Sequence, residues 1–163
     1  MLLALAVAAG CDDGGEKRLQ AYFEKLNEAG QEFNDRIEAH RFEPDVEPEE
    51  DPFDVVREWL EGSLVISGDY VRALEMIEPP TELSQPHMEL VDAARDLNAA
   101  AVSTVSRFDE VESADEAKEF LEHALDSRDP AVSEASRRFS AACAALQEAA
   151  AANGVEVTLV CGD

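Results

Sequence analysis

Chemistry in this chain would have to come from three histidines, three cysteines and a large excess of carboxylates. Di-iron sites built on facing helices need a Glu three residues before the ligating His. Before His40, His87 and His123 those positions hold Ile37, Ser84 and Phe120. The zinc-protease pattern His-Glu-x-x-His does not occur either. Glu119 and His123 are four residues apart on one helical face and could share a metal, but among 37 acids such a pair arises by coincidence and predicts solvated side chains. Ser63 follows Gly62, yet Val65 occupies the last position of a Gly-x-Ser-x-Gly elbow. The only adjacent glycines are Gly14 and Gly15, so a glycine-rich phosphate loop is not expected. Cys11, Cys143 and Cys161 contain no C-x-x-C pair, which argues against thioredoxin-like, zinc-ribbon and c-type haem chemistry. No catalytic residue, metal ligand or cofactor site emerges, and the chain is expected not to be an enzyme.

Charge narrows the partners. The 163 residues carry 37 acids against 13 bases, a formal net charge of −24, and 45% of them are apolar, enough for one packed domain. No basic stripe exists to neutralise phosphates, so a nucleic-acid partner is not expected. Residues 43–54 hold seven acids, three prolines and no base. Such a segment repels itself and reads as a solvated linker. It lacks the alternating ligands and central Gly of a calcium loop, so weak divalent-cation accumulation is the most it implies.

Met1–Gly10 has no polar side chain, is too short to span a bilayer, and has the size of a signal-peptide core. The run Ala8-Ala9-Gly10-Cys11 resembles the lipobox of bacterial lipoproteins. That resemblance implies cleavage before Cys11, which would carry a diacylglyceryl thioether and often an amide-linked acyl chain such as palmitate, a stable anchor. It divides the chain into a signal peptide at 1–10, anchor and tether at 11–15, and a domain at 16–163. No Lys or Arg precedes the apolar run, which suggests a true start upstream of Met1. Asp12 directly after the lipidated Cys resembles an inner-membrane retention signal, and Asp12-Asp13-Gly14-Gly15 reads as a flexible tether.

With Cys11 lipidated and the body exported to an oxidising space, Cys143 and Cys161 are left as a pair, and a disulfide between them is expected. Val155, Val157, Leu159 and Cys161 share one parity, so an extended tail would turn all four toward the body.

The elements that must position these groups are helical. Leu19, Tyr22, Phe23, Leu26, Phe33 and Ile37 recur by threes and fours over 16–40, with Gly30 filling a missing step. Asp51-Pro52 starts a second helix, weakened by Gly62 and Gly68 and open to a kink at Ser67–Asp69, which Pro79-Pro80 ends. A third begins near Thr81 or Ser84 and runs to about Phe108. Ser113 and Glu116 form a capping box for a short helix carrying Phe120 and Leu121. Asp129-Pro130 opens the last long helix, which ends before Gly154, a natural C-cap. Eight of residues 141–152 are Ala, so neighbours can approach that helix closely. The expected fold is all-α: an antiparallel four-helix bundle with a short extra helix and an extended C-terminal tail. Trp59 and Tyr70 are expected to fill core rather than line a pocket. The chain as a whole resembles small helical bacterial lipoproteins, with a Pro-Pro before a middle helix and a Cys-bearing tail; that resemblance implies no particular activity.

The expected function follows: an extracytoplasmic lipoprotein, anchored at the cell membrane, whose bundle binds an envelope protein or a small ligand. The alternative is a divalent-cation-binding lipoprotein.

Overall fold

The computed structural model describes residues 13–41, 52–113, 116–117, 119–120 and 130–161. It is an all-α bundle of four long helices: α1 (Asp13–Ala39), α2 (Pro52–Met76), α3 (Ser84–Phe108) and α4 (Pro130–Ala152). A single 3₁₀ turn, Thr81–Leu83, leads into α3. Cys11, the acidic segment up to Asp51, His123 and Asp129 lie outside the described residues.

Cross-helix contacts fix the directions. His40 at the end of α1 meets Trp59 near the start of α2. Glu75 late in α2 meets Arg95 in the first half of α3, and Arg57 early in α2 meets Asp109 just past the end of α3. Neighbours therefore run antiparallel, and α4 packs most extensively on α3. Ala93 and Ala94 on α3 and Ala135 and Ala150 on α4 are all buried, so backbones approach closely where the side chains are small. The main core joins Leu19, Phe23 and Leu26 of α1 to Tyr70 and Leu74 of α2, Leu90 and Ala94 of α3, and Phe139 and Leu146 of α4. A smaller cluster at the opposite end gathers Val56, Leu60 and Phe108, with Ala117 and Phe120 from the helical turn that follows α3. Trp59 packs against that cluster, and Tyr70 stacks on Phe33 in the main one.

One local expectation needs correction. Helix α1 begins at Asp13, so Asp13, Gly14 and Gly15 form its first turn rather than a flexible tether. Helix α2 continues unbroken through Ser67–Asp69. There the Ser67 hydroxyl bonds the Leu64 carbonyl (3.1 Å) and Asn98 of α3 (2.8 Å), tying the helix to its neighbour. Gly62 is also more than a weak point. The His40 ring lies 2.4 Å from where a Cβ would stand, so the glycine makes room for a reciprocal pair. His40 Nε2 donates to the Trp59 carbonyl (2.8 Å), and Trp59 Nε1 donates to the His40 carbonyl (2.9 Å). The capping box forms in modified shape: Glu116 N–H donates to Ser113 Oγ, while the Glu116 carboxylate accepts from Glu112 N–H.

Helix α4 ends as its sequence implies. Gly154 has φ +80°, Val155 N–H donates to the Ala150 carbonyl (3.0 Å) and Gly154 N–H to the Ala151 carbonyl (3.0 Å). This is the Schellman arrangement, which satisfies the last carbonyls and reverses the chain. Residues 155–161 then run extended along the bundle between α4 and α1, with Val155, Val157, Leu159 and Cys161 on the core and Glu156 and Thr158 exposed.

Candidate functional site

Two seams of the bundle can receive another molecule, and they are built differently. The first lies between α1 and α4 and is occupied by the tail. Asn27 reads the tail backbone twice: its Nδ2 donates to the Thr158 carbonyl (3.1 Å), and its Oδ1 accepts from Val160 N–H (2.9 Å). In an extended chain those two groups share one edge. On the other edge Leu159 N–H donates to Gln147 Oε1 of α4 (3.2 Å). Gly30 lets the strand come close, because a Cβ there would stand 2.2 Å from the Val160 carbonyl oxygen. Cys143 and Cys161 are disulfide-bonded with Cα atoms 6.3 Å apart, closing the far end. Open grooves flank the tail, one of about 680 Å³ toward α4 and one of about 270 Å³ toward α1.

The second seam is an unfilled cleft of about 610 Å³ between the end of α2, the turn at Glu78-Pro79 and the first turns of α3. That size is within the range of small-molecule sites. Its wall is Ile77, Pro79, His87 and Val91, and its lip is two methionines, Met76 at 87% exposure and Met88 at 58%. Methionine is unbranched and polarizable, so such a lip can mould itself to apolar guests of differing shape. Three carboxylates, Glu75, Glu78 and Asp92, stand around it against one guanidinium, that of Arg95. Arg95 bonds Glu75 (2.7 Å) and Asp92 (2.8 Å), spanning α2 and α3 behind the lip. The excess of acid favours a cationic or neutral guest.

His87 backs this cleft and is itself buried. Its Nδ1 is 2.9 Å from the Tyr22 hydroxyl of α1, and the ring also bonds the Leu74 backbone. Burial lowers the imidazole's pKa, opposed by the Leu74 bond, so the ring is neutral at pH 7. Burial likewise raises the Tyr22 hydroxyl's pKa, and Tyr70 is pushed up to about 12. The His87 ring is thus held from two sides, by the Tyr22 hydroxyl and by the Leu74 backbone.

The residues singled out in the sequence are mostly kept apart. His40 and His87 are engaged at opposite ends of the bundle. Among the described residues no group of three His, Cys, Asp or Glu side chains could hold a metal ion. Among them, too, no helix is long and apolar enough to cross a membrane. The roles of Asn27, Gly30 and Gln147 leave no mark in the sequence, since each looks like an ordinary exposed or small helical residue until its partner in the tail, residues 158–160, is known. The Met76–Met88 lip escaped it as well. The available signal was that both methionines fall on the polar side of otherwise regular amphipathic helices.

No known protein family, curated protein or solved structure matches this chain.

Proposed function

We propose that the protein is an extracytoplasmic bacterial lipoprotein, held at the cell membrane through Cys11, whose helical bundle is a non-catalytic binding module. The observation that carries the binding reading is the open, methionine-lipped cleft between α2 and α3. The guest it suits is a small amphiphile with an apolar body and a cationic or neutral head.

The anchor and the cleft would sit at one end of the molecule. Arg18 of α1 pairs with Glu82 before α3 (2.8 Å), and Tyr22 reaches His87, so the first turns of α1 lie beside the cleft. A lipid on Cys11, two residues before α1, would bring the opening close to the bilayer surface. An amphiphile leaving the membrane would then meet it first. The Cys143–Cys161 disulfide accords with an oxidising compartment.

Two measurements test the reading. The intact mass of protein taken from the membrane fraction is expected to begin at Cys11 and to exceed the peptide mass by acyl chains, and Cys11→Ser is expected to move the protein to the soluble fraction. A full-length, unacylated chain in the soluble fraction would overturn the anchor. Dodecyltrimethylammonium, kept below its micelle threshold, is expected to raise Tm through binding to the folded state, and Met76→Ser/Met88→Ser to abolish that rise. An equal rise in the variant, or none in the parent, would overturn the cleft.

A further inference from the structure

We propose that the α1–α4 groove is a receptor for extended polypeptide, that its own tail is the resident ligand, and that reduction of Cys143–Cys161 makes it available to an extended segment of another protein. This goes beyond the cleft reading and stands or falls without it.

The argument starts from what the groove recognises. Asn27 and Gln147 bond only backbone groups of the tail, on its two opposite edges. Gly30 is likewise matched to a main-chain carbonyl. Main-chain recognition gives affinity without prescribing side chains, the same division of labour by which extended peptides add to a sheet edge. Specificity is left to alternate positions: Val155, Val157 and Leu159 pack on the core, while Glu156 and Thr158 face out. The ligand class is therefore an extended segment of alternating aliphatic and polar residues, free of proline where Leu159 and Val160 donate their N–H groups.

What keeps the site closed is covalent. The tail is tethered at Gly154 and again at Cys161, so it faces any competitor at a high effective concentration. Cys143 is buried, whereas Cys161 is partly exposed. A dithiol reductant would attack the Cys161 sulfur, release Cys143 as thiolate and form a mixed disulfide. Its second thiol would then release Cys161. Two electrons and two protons end on the two cysteines, and the reductant leaves as its own disulfide. The tail is then held only by the hydrogen bonds and aliphatic contacts above, which another strand can replace one for one.

The test is disulfide trapping on the full chain carrying Cys161→Ser, which leaves Cys143 as the probe of the groove. The incoming peptide is Gly-Val-Glu-Val-Thr-Leu-Val-Cys, supplied as a mixed disulfide with a small thiol. The control is a peptide of the same composition with its alternation destroyed and its Cys still last. The ordered peptide is expected to trap at Cys143 roughly tenfold faster than the control, in keeping with the aliphatic side chains that only the alternating order turns toward the core. Asn27→Ala in the same chain is expected to slow trapping of both peptides several-fold, because the groups it reads are main-chain ones, whereas Met76→Ser/Met88→Ser leaves both rates intact, which separates this site from the cleft. The oxidised parent chain is expected to give no Cys143 adduct. Equal trapping of ordered and scrambled peptides would overturn the proposal. So would trapping that Asn27→Ala leaves unslowed, or loss of the cooperative helical melt once the bond is gone.

Discussion

The seam between α1 and α4 and the cleft between α2 and α3 are both gaps along a helix pair, but they are finished with different chemistry. One is lined by side-chain amides and a glycine, groups that read and admit a backbone, and the chain's own tail lies along it. The other is lined by thioethers and aliphatic carbons inside a rim of charge, and no segment of the described chain lies in it. The difference teaches that amides placed where an extended chain can pair with them commit a groove to polypeptide, whereas flexible apolar side chains commit it only to bulk and hydrophobicity.

The comparison breaks most visibly at the disulfide. Cys143→Ser/Cys161→Ser is expected to lower stability by about 3 kcal/mol through the freed loop entropy, read as a shift of the denaturant midpoint. Dodecyltrimethylammonium binding in the other seam is expected to be unchanged. Gly30→Val should follow at about 1–3 kcal/mol, because its side chain meets the Val160 carbonyl, an atom that cannot rotate away. Gly68→Ala sharpens the contrast. Its nearest neighbour is the Asn98 side chain at 4.0 Å, so the gain in helix propensity, about 1 kcal/mol, should appear as a raised Tm. Asn27→Ala is expected to cost about 1–2 kcal/mol for its two hydrogen bonds. Hydrogen exchange should quicken at the Val160 amide and not at amides of α2.

On the open side the expected effects on stability are smaller. His87 has a lowered pKa in the folded state, so the unfolded chain binds more protons once pH falls below the ordinary histidine value of about 6.5. Stability is therefore fully present above that pH and declines below it. The drop in Tm between pH 7 and pH 5 should be larger for the parent than for His87→Gln. Asp69 and Glu82 shift the same way from a different cause: hydrogen bonds from Arg36 and Arg72 lower the first, while a backbone hydrogen bond and then Arg18 lower the second. Their contributions fade only at more acid pH, below the ordinary carboxylate range. Met76→Ser/Met88→Ser should change stability by no more than about 0.5 kcal/mol, since both side chains are exposed.

How much of this was legible in the sequence depends on the range of the interaction. The four long helices follow from apolar spacing, and the Gly154 cap and the parity of the tail follow from residues within a few positions of one another. Pairings across the bundle leave no such trace. Tyr22 and His87 are separated by 65 residues, and Asn27 and Val160 by 133. An Asn on an exposed face carries the same propensity whether it bonds water or a strand. Gly30 and Gly62 illustrate the limit well. The first reads as a gap in a hydrophobic stripe and the second as a weak point in its helix, yet each holds space for a group brought up from elsewhere, the Val160 carbonyl in one case and the His40 ring in the other.

The tail between Gly154 and Cys161 also behaves as a ruler. Its origin is set by a left-handed turn and its end by a covalent bond, and between them every second side chain must land inward. Deleting or inserting one residue would invert that frame, burying Glu156 or Thr158 and swinging the sulfur to the outer face. Inserting two would restore the parity but overshoot Cys143 by about 7 Å. Side chains at 156 and 158 can drift freely under mutation, then, while the count of residues cannot. Among divergent copies of this chain, the spacing from that glycine to the final cysteine should outlast most of the letters in between.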